Sequence, residues 1–489
     1  MSPVILYSVH AALGAVLAAS IFAPRGWRRV VLMTAATIGS ASGIALAVVA
    51  SIDESVWRST TLGQPRGVVA GAAVACAWLL AGALGDERAL GAGALVGLAS
   101  SGILLATLND WVLPALVLWI ASSVALVALV SQAELRVGAL LAIGVSDLAL
   151  VGALALQSLD ERVWTMPESL SGLPLGLALV SLVVRSGAVP LAGVWETLDS
   201  PAAPALPLLL GGPLALLGVP LSGSGPWVTV AALMVALGLC VATLMLRRLR
   251  LALLGSWPVW LGLGLMIAAP AALQPAALAT LLAVTMVALW PVTRGVARAA
   301  GGLLIGFVPP TAGWVAIVAT AVPAFDRGAG RAVAWALIAG LLPLTVAGGV
   351  ALAARLARLS GPNSTDVRAT VAVGALFIAG LVTGLVSPSV LGPARNALGD
   401  FDRVLALNGA VLMLALVAGA VAYLRGAGAT EPGVRDPEAS VAALVYSEDR
   451  ADTAVLVGVF ALIGLGTLAI VVYLAVEGLS YGFLPPSNL

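Results

Sequence analysis

Apolar runs long enough to cross a lipid bilayer recur along this whole chain, and that recurrence constrains the fold more than any motif does. The first run is "VILYSVHAALGAVLAASIFA", and comparable segments follow at short intervals to the last, near residue 475. About 20 apolar residues make one helical crossing, so with short connections the chain accommodates about 14 to 16 transmembrane helices. Hydrophobic residues are 61% of the total and charged residues 10%, with a mean hydropathy of +1.09. No soluble domain of this length buries so much apolar surface, so the expected fold class is an all-α polytopic membrane protein. No basic region precedes the first run, which reads as a retained helix in preference to a cleaved signal peptide.

Spans are expected near 4–23, 30–52, 67–85, 89–108, 111–131, 136–157, 170–190 and 205–222. A second group is expected near 227–246, 251–270, 275–293, 301–324, 331–354, 369–389, 403–424 and 453–475. The one long polar stretch, residues 425–452, is acidic and carries two prolines; it reads as a surface loop, or as an interfacial helix over "EASVAALVYSE". The first loop, "PRGWRR", has three arginines and no acid, and "RRLR" at 247–250 is similarly basic. By the positive-inside rule both are expected in the cytoplasm, which puts the N-terminus outside.

Several function classes drop out on residue counts. There is one histidine, His10, and two cysteines, Cys76 and Cys240, all within apolar runs. Histidine metal sites, bis-histidine haem and cysteine-ligated clusters cannot be assembled from them, and His10 is expected to serve a structural role. No phosphate-loop, dinucleotide-binding or HExxH pattern occurs, and no polar segment is large enough for a soluble catalytic domain. No metal, cofactor or nucleic-acid partner is expected. All 24 basic residues are arginine. A buried lysine can release its proton in the working range, whereas arginine holds its own, so reversible protonation inside this membrane must rest on Asp, Glu, Tyr, His10 or water.

The charges that fall within spans therefore become the candidate ion-pathway residues, since inserting each costs about 2.5–3.5 kcal/mol. In "SGLPLGLALVSLVVRSGAVPLAGVWETLDSPAAP", Arg185 follows a long apolar run at a depth of roughly 20 Å along a helix. Pro190 then frees backbone carbonyls, as in a broken helix, and Glu196 and Asp199 follow. Two readings stand: a buried charge at a helix break, or a helix that ends at the interface with both acids in a loop. Asp147, in "LLAIGVSDLALVGALALQ", is the clearest isolated carboxylate inside a run, either a member of a proton relay or a structural hydrogen-bonder. Asp110, Glu134 and Glu477 read as interfacial, and Arg294 with Arg298 as a cytoplasmic loop or the lining of a second pathway.

The stretch from Arg185 resembles the broken-helix signature of the antiporter-like, proton-conducting membrane subunits found in respiratory complex I, Mrp-type antiporters, membrane-bound hydrogenases and a two-part inorganic-carbon uptake system. That signature runs K-x-G-x-x-P-[FL]-H-x-W-L-P. Arg185 stands at its lysine, Gly187, Pro190 and Leu191 match in register, Ala192 replaces the histidine, and Trp195 comes one residue late. "NDWVLPALVLWIASSVALVALV" is similar to the family's fifth helix, with Trp119, Ser122 and Ser123 in place and Ile120 at its glutamate. Asp147 falls on the aspartate of a following motif, the basic residues of "RRLRLALLGSWP", Arg248 and Arg250 among them, on another, and "LIGFVPPTAGW" on L-x-G-x-P-P-x-x-G-F through Pro309, Pro310, Gly313 and Trp314.

The resemblance implies two inverted five-helix repeats with broken helices. The division is N-terminal helices at 1–88, a first repeat at 89–222, a second at 223–360, and C-terminal helices with the polar loop 425–452 at 361–489. It implies a bacterial inner (plasma) membrane, and a multi-subunit complex that couples redox chemistry to proton or cation translocation, of the complex I-like NADH-quinone oxidoreductase or hydrogenase type. The partners would be other membrane subunits and a peripheral redox or zinc-containing subunit, with this chain non-catalytic. The pathway residues would be Arg185, Asp147, Glu196, Asp199, Arg248, Arg250 and Arg294, with Gly187, Pro190, Pro309 and Pro310 at the breaks. The family's Glu, Lys and His are here Ile120, Arg185 and Ala192, so its usual proton route is either redrawn through Asp147, Glu196 and Asp199 or lost. The alternatives are the membrane half of an inorganic-carbon uptake system with a zinc-dependent cytoplasmic partner, and an autonomous secondary transporter.

Overall fold

A computed structural model describes residues 8–10, 12–13, 15–16, 19–52, 63–84, 144–156, 172–185, 226–245, 251–290, 293, 295–326, 332–358, 367–385 and 417–421. Among them every regular element is helical. The α-helices are α1 (Arg25–Ile52), α2 (Gly63–Leu84), α3 (Gly144–Leu156), α4 (Gly172–Arg185), α5 (Pro226–Met245), α6 (Leu251–Ala268), α7 (Leu273–Leu289), α8 (Gly295–Ile305), α9 (Ala312–Asp326), α10 (Ala332–Arg358) and α11 (Val367–Leu385). Three of them, over Gly26–Val49, Pro226–Met245 and Ala332–Arg358, are long and apolar enough to cross a membrane singly. The boundaries of α1, α2, α5, α6, α7, α10 and α11 fall within about five residues of those expected, while the span expected at 301–324 begins six residues early and is divided in two. The spans expected at 89–108, 111–131, 205–222 and 453–475 lie outside the described residues.

The sequence of α7, "LQPAALATLLAVTMVAL", is apolar on all sides and has no lipid-facing stripe. A helix of that kind has to be enclosed. It is buried from Gln274 to Leu289, with α2, α6, α8, α9 and α11 packed around it. A short 3-10 turn, Pro270–Ala272, reverses the chain from α6 into α7, and the two run antiparallel with Gly262 against Thr280.

Small residues set how closely these helices approach. With little hydrophobic driving force between helices in lipid, backbone contact and van der Waals packing hold the bundle together. Helices α1 and α2 are antiparallel, with Gly82 against Ala36, Gly39 against the Trp78 ring and Gly71 against the Ala47 backbone. Helices α8 and α10 are antiparallel too, with Gly302 facing Ala353 and Gly306 facing Gly349. At that second contact each glycine meets the other's carbonyl, so a methyl group on either would overlap the partner backbone.

The buried histidine joins the N-terminal segment to this hairpin. His10 is fully buried; its Nδ1 accepts from Trp78 Nε1 at 3.0 Å and its Nε2 lies 2.9 Å from Ser42 Oγ. An indole N–H can only donate, so Nδ1 carries the lone pair and Nε2 the hydrogen. Ser42 Oγ accepts that hydrogen and passes its own to the Gly39 carbonyl at 2.9 Å. The donor chain closes with every member satisfied, which gives His10 the structural role its sequence context pointed to. Replacing Trp78 with Phe is expected to cost about 1 kcal/mol by stranding the Nδ1 lone pair. In the native protein, nitrogen NMR is expected to show His10 as the neutral Nε2–H tautomer, and the opposite tautomer would overturn the assignment.

Candidate functional site

Helices α3 and α4 carry two of the first-half candidates, Asp147 and Arg185. The seryl oxygens of Ser146 and Ser181, both buried, lie 3.0 Å apart, and Ser146 Oγ donates to the Ser181 carbonyl at 3.2 Å. Gly152 faces Leu177 further along, so the helices run antiparallel. Asp147 follows Ser146 and is half-buried. Arg185 ends α4 one turn beyond Ser181, on the same helix face. Measured along the helix axes from the serine contact, the Arg185 and Asp147 backbones are offset by roughly 7.5 Å, to which the spacing between the two helices adds. Gly187, Pro190, Glu196, Asp199, Arg248, Arg250 and Arg294 lie outside the described residues, as do Ile120 and Ala192.

The second half contains a helix break at the Pro309–Pro310 pair. Helix α8 descends beside α7, with Gly301 against Met286, and Gly380 of α11 packs on Leu304 and Leu282. Helix α9 continues in the same direction until Ala319 joins Ala269 and Ala272 at the far end. The two half-helices are thus one interrupted crossing, broken roughly 16 Å from its start. The Pro309–Pro310 peptide bond is cis. Neither proline carries an amide hydrogen to continue the ladder.

The two sides of this break are satisfied unequally. A helix leaves its last four carbonyls and first four amides without partners of its own. At the end of α8 all four carbonyls are taken. Gly302 accepts from Gly306 N–H at 2.9 Å, Leu303 from Val308 at 3.0 Å and Leu304 from Phe307 at 3.3 Å, with Phe307 left-handed at φ 52. This is a Schellman cap with phenylalanine where glycine is usual. Ile305 accepts from the Trp257 indole at 3.0 Å. At the start of α9, Trp314 and Val315 both donate to the Thr311 carbonyl, and Thr311 N–H donates to Val308. No acceptor within hydrogen-bonding distance serves the amides of Ala312 and Gly313 among the described residues, and the buried Thr311 hydroxyl has no partner there either.

Two buried arginines sit at the other end of this half. Arg298 lies inside α8, 3% exposed, with Nε donating to the Thr293 carbonyl at 2.8 Å and its guanidinium 5.3 Å above the Trp290 ring. Arg355, in the last turn of α10, is 4% exposed and donates through Nη1 to the carbonyl of Thr243 in the last turn of α5. A cation there meets both the unpaired carbonyls and the negative end of the helix dipole. Arg355 therefore binds a helix end, whereas Arg298 binds the connection between α7 and α8. Sequence reasoning missed Arg355, because an arginine at the close of an apolar run reads as snorkelling to the interface. The only available signal was its position three residues ahead of Arg358, one turn short of the helix end.

Spanning-length helices, outward apolar residues such as Val333, Val367 and Ile378, and charges held inside define a multi-pass all-α membrane protein. No family model and no curated protein matches the sequence. Solved structures do share its fold. A chain of respiratory complex I from Thermus thermophilus is 19% identical with a TM-score of 0.59, covering 79% of this chain and 99% of that one. A chain of the membrane-bound sulfane sulfur reductase, an archaeal respiratory membrane complex, is 12% identical with a TM-score of 0.58, covering 88% and 99%. A chain of the Mrp complex from a Dietzia species is 16% identical with a TM-score of 0.51, covering 92% and 99%. The chain thus shares the fold of these chains of membrane complexes.

Proposed function

We propose that this chain is a divergent antiporter-like membrane subunit of a multi-subunit complex that couples redox chemistry to proton or cation translocation, of the complex I-like or hydrogenase type. The observation that carries the reading is the shared fold, which extends over 99% of the matched chain in each of the three membrane complexes. The Asp147 and Arg185 helices, held in register by Ser146 and Ser181, supply an ion-pathway candidate within the first half. In this reading residues 89–222 and 223–360 are the two repeats, flanked by N-terminal helices at 1–88 and C-terminal helices at 361–489. Glu196, Asp199, Arg248, Arg250 and Arg294 complete the polar route. The chain binds no redox cofactor and depends on other membrane subunits and a peripheral redox subunit, in a bacterial inner membrane with its N-terminus outside.

Purification of the tagged chain in mild detergent, with mass spectrometry of its companions, tests this directly. Stoichiometric recovery of quinone-site, iron–sulfur or hydrogenase chains is the expected result. A single soluble zinc protein as companion would move the function to inorganic-carbon uptake, and recovery alone would leave an autonomous transporter.

A further inference from the structure

We propose that His10 is an acid-sensitive latch: the neutral ring fastens the N-terminal segment to the α1–α2 hairpin, and a second ring proton releases it. The attachment is narrow. Among the described residues between 8 and 22, only His10 and Ser20 are buried, and Leu13 packs on the core in part. Ser8, Ala12, Val16 and Phe22 of the same segment are exposed. The imidazole is hydrogen-bonded to both helices of the hairpin, to Trp78 of α2 at 3.0 Å and to Ser42 of α1 at 2.9 Å. One ring therefore holds much of what joins the segment to its neighbours.

The chemistry of its two partners makes the latch one-sided. An indole N–H donates and accepts nothing, so Trp78 is held by the lone pair on Nδ1. An imidazolium carries hydrogens on both nitrogens, and turning the ring over still aims one of them at the indole hydrogen. Ser42 accepts from Nε2 in either protonation state, so the whole conflict falls on Trp78. No carboxylate offsets it on α1 or α2. Their charged residues are Arg25, Arg28, Arg29 and Arg66, each more than two turns along its helix from the residues that meet the ring, and the Cys76 thiol bonds to Thr285 of α7. Tyr7 lies outside the described residues. His10 stands six residues inside the run that begins near residue 4, so an axial shift of about 9 Å brings the released ring to the membrane surface. Linkage then gives the sign. The released ring takes up a proton at the ordinary imidazole value of about 6.5 and the latched ring takes none. The latched form is therefore favoured above that pH, and its population ratio to the released form falls up to about tenfold per pH unit below it.

The latch stands apart from the proton-translocation reading and holds whether or not protons cross the first half. Its test uses the full-length chain in lipid nanodiscs. Spin labels at Val16→Cys and Ile44→Cys, two exposed positions, report the distance between the segment and α1, while the native Cys76 and Cys240 are buried away from the reagent. The chain has one histidine, so nitrogen-15 histidine labelling reports this ring alone. A single distance and a neutral ring are expected at about pH 8. Between about pH 6.5 and pH 5 a second, longer distance is expected to grow towards tenfold per pH unit, in step with the imidazolium signal. His10→Gln keeps a donor and an acceptor but does not ionise, and is expected to hold one distance throughout. An imidazolium that forms with the distance unchanged, or one distance with a neutral ring down to about pH 5, would overturn the latch. So would equal pH dependence in His10→Gln. The first two results come from the unsubstituted ring, so the test stands even where the variant fails to fold.

Discussion

Asp147→Asn is expected to abolish proton flux, reducing it at least tenfold when the chain and its companions are reconstituted in proteoliposomes. Asparagine keeps the size and hydrogen-bonding outline of aspartate but has no proton to take up and release. The chain offers few substitutes, because its basic residues are all arginine and His10 has both ring nitrogens committed to Trp78 and Ser42. The placement of Asp147 beside the buried serine pair makes the substitution mild in packing terms, so the protein is expected to purify in normal yield. That separates transport from folding. Unchanged flux in a well-folded variant removes Asp147 from the mechanism and leaves it a structural hydrogen-bonder of α3.

Gly349→Leu is expected to have the largest effect on assembly. The α8–α10 contact at Gly306 brings two backbones together with no room for a side chain on either. A leucine must push α10 away from the broken crossing, and because α10 also packs on α5 and α9 the displacement cannot stay local. Overpacking of this kind costs about 3 kcal/mol. The expected readout is loss of the monodisperse species on size exclusion and a clear fall in thermal midpoint. Gly340→Leu on the same helix is the control. Nothing lies within 4 Å of a side chain built there, and leucine favours helix over glycine, so stability is expected to hold or rise slightly. Equal losses from both variants would show that α10 tolerates no added bulk anywhere and would withdraw the special role given to the glycine contact.

Much of the architecture was legible because bilayer-length apolar runs leave few alternatives. The spans expected at 227–246, 251–270 and 369–389 fall within a few residues of α5, α6 and α11. The physical signal at Pro309 and Pro310 is local, since adjacent prolines end a hydrogen-bond ladder wherever they stand. Lateral packing was not. In α6 and α7 apolar residues occupy every face, so no stripe says which side turns inward or which helix lies opposite. For the same reason the Arg355 contact with Thr243 and the Trp78 contact with His10 are invisible in one dimension. Each joins residues far apart in sequence whose neighbours are all alanine, leucine and valine. Asp147 was found because a lone carboxylate in such a run stands out. The serines that register its helix against α4 were not, since serine is ordinary in a membrane helix.

The imidazole of His10 also sets an order of events during biosynthesis. Its two partners arrive 32 and 68 residues later in the chain. A ribosome that has delivered only the first apolar run therefore presents to the insertion machinery a helix with an unsatisfied imidazole, poorly suited to lipid. The segment is best held at the protein-lined exit until Trp78 emerges, so that three helices enter the bilayer together. The N-terminal quarter of a chain read as a string of independent crossings is expected, through this one ring, to be released as a single cotranslational package.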